Sequence, residues 1–163
     1  MGATGNFLTT AATDLDGDGD LDVLSASDDL IWYINNLASP AWLTLGDGLA
    51  GALGTPVLSG SGTMADGQTV TLSLTQALPG SLAALVVGDG PQGLPFKGGV
   101  LVPEPDAIFL GLPVDGAGEL SISATWPVGV PVGAMFWFQY WISDFGGPAG
   151  LAASNGITGT VVT

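Results

Sequence analysis

Residues 69–75 read Thr-Val-Thr-Leu-Ser-Leu-Thr, with apolar and hydroxyl side chains in strict alternation. Successive side chains of a strand point to opposite faces, so Val70, Leu72 and Leu74 share one face while the threonines and Ser73 share the other. A period of two is not a helical period, and the segment reads as a half-buried strand. The same alternation returns at 119–125, where Leu120, Ile122 and Ala124 fall on one side. Outward from these two segments, short β-branched or aromatic runs recur at 42–45, 56–61, 83–87, 99–102, 107–110, 135–143 and 156–162. Asp-Gly pairs at 47–48, 66–67, 89–90 and 115–116 stand between them as turn signals. Short strands at regular spacing with no helical period predict an all-β protein, a β-sandwich, with a jelly roll as one topology.

The composition agrees. Of 163 residues, 47% are hydrophobic and only 10% charged, so core-forming residues are ample and the chain is not of the disordered class. The 27 glycines and 11 prolines cut the apolar runs into pieces too short for spanning helices. Fifteen acidic residues face a single cation, Lys97, for a net charge of −14. Such a chain has nothing with which to neutralise phosphates, which excludes nucleic acid as a partner. With no cysteine and no histidine, disulfides, thiol catalysis and histidine-based acid–base or zinc chemistry are excluded.

Charge is distributed unevenly. Seven of the fifteen acids lie between Asp14 and Asp29. Residues 14–22 read Asp-Leu-Asp-Gly-Asp-Gly-Asp-Leu-Asp, five carboxylates in nine residues. Held in a compact loop, these repel one another unless a cation sits among them. Alternate positions supply the side-chain oxygens of Asp14, Asp16 and Asp18. Gly19 permits a sharp turn, Asp20 offers its backbone carbonyl, and Asp22 closes the cage. An all-oxygen shell of this flexible kind suits Ca2+. The plain alternative is a solvated Asp/Gly turn. Position 12, a bidentate Glu in a helix-flanked calcium loop, is Ser25 here, and the residues around it are strand-like. Residues 22–27 alternate briefly, Asp28-Asp29 make a turn, and Leu30-Ile-Trp-Tyr-Ile34 forms a second run, predicting a hairpin.

On these residues, 14–36 resemble an FG-GAP or VCBS-type repeat, a blade of calcium-binding β-propellers. The resemblance implies the ligands already named, Asp14, Asp16, Asp18 and Asp22 by side chain and Asp20 by backbone. A propeller needs about four or more blades, so the chain is expected to be an excerpt of a longer protein. Residues 1–36 are read as this partial repeat, 37–40 as a linker ending at Pro40, and 41–163 as the sandwich, with the hairpin packed on it. Trp32 and Trp42 flank the linker and are expected to fasten the two parts. The segments Gly54-Thr-Pro-Val-Leu-Ser-Gly-Ser-Gly62, 94–106, 111–127, Phe138-Gln-Tyr-Trp-Ile142 and 154–158 are similar to a C-terminal β-sandwich module of secreted proteins from Planctomycetes and related bacteria. That resemblance implies a bacterial accessory domain outside the cell or at its surface.

Catalytic chemistry finds little footing. Lys97, between Phe96 and Gly98, reads as a solvated loop residue. The acids Glu104, Asp106, Glu119 and Asp144 give no sequence sign of a shared cleft for paired-carboxylate hydrolysis. A second candidate site is aromatic. In Phe136-Trp-Phe-Gln-Tyr-Trp-Ile142, Trp137, Gln139 and Trp141 share one face and Phe136, Phe138, Tyr140 and Ile142 the other. If exposed, Trp137, Gln139 and Trp141 form a stacking platform for sugars. If both faces are buried, they are core, one face lying under the calcium-loop hairpin. The expectation is a non-catalytic, secreted or cell-surface calcium-binding module acting in adhesion or assembly. The alternatives are a carbohydrate-binding module and a subunit that self-assembles by β-edge pairing with its own copies.

Overall fold

The computed structural model describes residues 9–13, 22–26, 30–33 and 41–163. The chain divides into two compact units, Met1–Pro40 and Ala41–Thr163. In the first, β1 (Thr9–Thr13), β2 (Asp22–Ala26) and β3 (Leu30–Tyr33) form an antiparallel sheet in that order. β2 and β3 are the hairpin expected from the sequence, with Val23 opposite Tyr33 and Ala26 opposite Leu30. Its expected turn at Asp28-Asp29 lies outside the described residues. β1 is an addition, because Thr-Thr-Ala-Ala-Thr has no large apolar side chain to mark it as a strand. It pairs with β2 from Thr9 opposite Ala26 to Thr13 opposite Asp22.

The second unit runs β4 (Trp42–Gly46), β5 (Val57–Ser61), β6 (Thr69–Thr75), β7 (Leu82–Gly88), β8 (Pro91–Phe96), β9 (Gly99–Pro103), β10 (Ala107–Pro113), β11 (Leu120–Thr125), β12 (Met135–Ser143), β13 (Leu151–Ala153) and β14 (Gly156–Thr160). One sheet has the order β11-β6-β5. The other has the order β10-β7-β12-β14-β4, with β13 also on β12. All pairings are antiparallel. The two sheets face each other as a sandwich. Val70, Leu72 and Leu74 form the buried face of β6, as their alternation predicts, and Leu58 of β5 joins them. Phe138, Tyr140 and Ile142 of β12, Leu85 of β7 and Ile157 of β14 meet them from the larger sheet. Each fully buried side chain of this size contributes about 1.5–3 kcal/mol of transfer free energy. Trp42 belongs to the same core. Its ring lies 5.6 Å from that of Phe138, and its indole N–H donates to the Gly62 carbonyl at 2.8 Å.

Two strands escape a sequence reading. β8, Pro-Gln-Gly-Leu-Pro-Phe, holds two prolines and a glycine. It is tolerated because it pairs only with β9, where a proline need not donate to a second neighbour. The connection is the tight pair Lys97-Gly98, both in the left-handed region at φ 48° and 92°, as a two-residue hairpin turn requires. β13 is only three residues because it continues into β14 across a bulge. Between the pairs Trp141↔Ala153 and Phe138↔Ile157, β12 supplies two residues, Gln139 and Tyr140, where the facing strand supplies three, 154–156. The bulge frees Asn155 to reach the other sheet. Its side-chain oxygen accepts from the Leu58 N–H and its amide nitrogen donates to the Leu58 carbonyl, both at 2.9 Å. One side-chain amide thus imitates a strand partner and joins the two sheets. At the end of β10, the Asp115 carboxylate accepts from the N–H groups of Ala117 and Glu119, setting the turn into β11.

Candidate functional site

A carboxylate cluster forms where β7 ends and β10 begins. Ala107 of β10 lies opposite Val87 of β7, so Asp106 and the residues after Gly88 arrive together. The side-chain oxygens of Asp89, Glu104 and Asp106 lie within 4.8 Å of one another, and all three residues are exposed. The local backbone is built for this approach. Asp89 donates its N–H to the Asp106 carboxylate at 2.9 Å, and Glu104 donates its N–H to the Gly90 carbonyl at 2.8 Å. Asp106 turns back through an N–H bond to the Glu104 carbonyl at 3.0 Å. A side chain at Gly88 would overlap the Glu104 carbonyl, so only glycine lets the two loops close. Pro103 and Pro105 bracket Glu104 and stiffen its loop. A shallow hollow of about 310 Å3 beside the cluster is lined by Val87, Asp89, Asp106 and Phe136 among others.

Three carboxylates at this separation repel, and a hard cation with oxygen preference relieves the repulsion. The group could hold a metal ion. Sequence reasoning found no sign of a site shared by Glu104 and Asp106. It read Asp89 only as half of an Asp-Gly turn. The missing information was the β7–β10 register, which joins residues fifteen or more positions apart.

The Asp-rich loop stands differently. Asp14, Asp16, Asp18 and Asp20 lie outside the described residues. Asp22 opens β2, paired with Thr13.

The aromatic strand has the alternation expected of it, with Trp137, Gln139 and Trp141 on the outer face of the larger sheet. That face is not an open platform. Gln139 is 0% exposed and Trp141 5% exposed, while Trp137 is half-buried. Within the sandwich unit, the β8–β9 hairpin lies over this face as a third layer. The Phe96 ring stands edge-on to Trp141 with centroids 4.9 Å apart. Gln139 makes four hydrogen bonds there. Its Oε1 accepts from the Val102 N–H at 3.0 Å and from Trp141 Nε1 at 3.1 Å. Its Nε2 donates to the carbonyls of Val100 at 3.1 Å and Ser154 at 3.2 Å. A glutamine with its amide fully engaged by protein has no capacity left for a sugar hydroxyl.

Asp144 has a structural role. It is buried and accepts from the N–H of Ala52 on both oxygens at 3.0 Å and from Gly146 at 2.8 Å. Lys97 sits at the hairpin tip with its ammonium 6.0 Å from the Phe96 ring centroid. Among the described residues, three buried polar atoms lack a partner: Ser81 Oγ, Trp126 Nε1 and the Tyr140 hydroxyl. Burial raises the Tyr140 phenol to about 12. No helix among the described residues is long and apolar enough to cross a membrane. No family model, curated protein or solved structure matches the chain.

Proposed function

We propose that this chain is a non-catalytic, calcium-binding β-sandwich module that works outside the cell or at its surface, in adhesion or assembly. Calcium is structural in this reading. The observation that carries it is the pairing of Thr13 with Asp22. The segment between them holds Asp14, Asp16, Asp18 and Asp20, and it must leave and re-enter one sheet at neighbouring points. Asp14, Asp16, Asp18 and Asp22 supply side-chain oxygens and Asp20 its carbonyl, so one hard cation neutralises a cluster that otherwise repels itself. The second cluster, Asp89, Glu104 and Asp106, supports the same chemistry in the sandwich. Extracellular calcium modules bind at about 10⁻⁴–10⁻³ M, and an ion that binds only the native state at a hundredfold excess over Kd adds about 2.7 kcal/mol.

The test is calorimetric titration of the full chain with calcium chloride, beside thermal melts in calcium and in chelator. Calcium should raise the melting temperature by several degrees. Asp16→Ala should abolish that gain, while Asp106→Asn should remove only a second, separate binding event. Superimposable melts with calcium and with chelator would overturn the reading.

A further inference from the structure

The sandwich is incomplete along one side. Its smaller sheet has three strands and faces a ladder of five. β5 stacks beside β14 and β4, so three strands counted across reach only as far as β7 and leave β10 overhanging. Residues that point inward are consequently exposed there. Phe109 lies opposite core Leu85 yet is 54% exposed, and Ala124 lies opposite core Val70 yet is exposed. Between them is an apolar cleft of about 480 Å3, walled by Val87, Phe109, Leu112, Ile122, Ala124 and Trp126 among others.

The edge beside this cleft is unpaired among the described residues. β11 pairs with β6 alone, in a register with no bulge from Leu120↔Leu74 to Thr125↔Thr69. Trp126 donates its N–H to the Gln68 carbonyl directly opposite. Bonded pairs alternate along an antiparallel ladder, so Ala124, Ile122 and Leu120 also bond inward. Ser121, Ser123 and Thr125 therefore turn their N–H and C=O groups outward, and all three residues are exposed. Strand edges are ordinarily blunted by lysine, proline, an inward charge or a bulge. β11, Leu-Ser-Ile-Ser-Ala-Thr, has none of these. β10 has both a bulge before Leu112, at Gly111 with φ 72°, and a terminal proline.

We propose that the cleft is a docking site for one extended strand of another polypeptide, added to the free edge of β11 and laid over β10. The strand is about six residues long at ~3.4 Å per residue and apolar at alternate positions, so that about three side chains enter the cleft. It is free of Asp and Glu, because β10 and β11 carry no charge while the chain as a whole carries −14. A strand explains both features of the site, the apolar walls and the unpaired ladder, whereas a small apolar molecule explains only the first. A symmetric pair of folded copies joined through β11 is excluded by shape, since the overhanging β10 of each would enter the space of the other's β7. The inference goes beyond the calcium reading and does not depend on it.

The experiment uses the full chain and a synthetic peptide with valine at three alternate positions, serine or threonine between them and a lysine at each end. Main-chain pairing carries affinity whatever the side chains, so such a peptide is a fair probe. Calorimetric binding and amide hydrogen exchange are measured together. Binding should slow exchange at Ser121, Ser123 and Thr125. Ala124→Glu, and Phe109→Glu on the opposite wall, should each weaken it by more than about tenfold. Two variants on different strands guard against one failing to fold. No binding by the folded chain would overturn the proposal, as would binding without protection of those three amides. So would equal affinity for a peptide N-methylated at alternate residues, or entry of the neutral dye Nile red where the peptide does not bind, since either makes the cleft a small-molecule pocket.

Discussion

Replacing Gln139 by alanine isolates what the outer layer of the sandwich contributes. The side chain joins four partners: the N–H of Val102, the indole N–H of Trp141 and the carbonyls of Val100 and Ser154. Val102, Trp141 and Ser154 are each at most 5% exposed, so three of the four lose their partner in a place water does not reach. An abandoned buried donor or acceptor costs about 1–3 kcal/mol. Three of them, less what a water entering the vacated space can recover, place the loss at roughly 3–6 kcal/mol. That is a large part of the ~5–15 kcal/mol that holds a domain folded. Urea unfolding followed by tryptophan emission should show a much lower midpoint with an unchanged slope. Gln139→Glu separates charge from shape. Its carboxylate would face two carbonyl oxygens in a buried site, which raises its pKa above the unfolded ~4.3. Stability is then greatest below that value and falls as pH rises through the raised pKa, the reverse of a paired carboxylate. A loss under about 1 kcal/mol for Gln139→Ala would refute the reasoning, because exposed positions behave that way. It would also reopen the outer face as a ligand platform.

Two further outcomes rest on single side chains. Burial holds the Tyr140 phenol neutral up to about pH 12, against an ordinary 10 in the unfolded chain. Stability is therefore intact below about pH 10 and drains by up to ~2–3 kcal/mol toward pH 12, measurable as denaturant midpoints across that window and removed by Tyr140→Phe. Asn155→Ala breaks both bonds to Leu58 and should cost about 2–4 kcal/mol, while Asn155→Asp keeps only the acceptor half and should fall between; equal stability of all three proteins would show that the bulge does not join the sheets.

Alternation along 69–75 and 119–125 was enough to assign strands, faces and fold class, because the pleat ties side-chain direction to residue parity within one strand. It identified Val70, Leu72 and Leu74 as core, and it placed Trp137, Gln139 and Trp141 together on one face. Whether that face is covered is not a property of the strand. The cover is β8–β9, whose prolines and glycine hide it from any propensity argument, and which reaches β12 by hydrogen bonds across some forty residues. The same limit applied to Asp89, Glu104 and Asp106. Each was visible as a turn or loop acid, but their meeting is a consequence of the β7–β10 register.

The sequence by itself determined what acts locally: the strand period, the turn chemistry, the charge balance and the density of carboxylates in residues 14–22. These are set by neighbours a few positions away. Only the tertiary structure decided which faces are wet, which acids converge, and where three strands fail to cover five. Those depend on long-range pairing between segments whose own sequences are compatible with several partners, and the pairing is settled by the free energy of the whole assembled core.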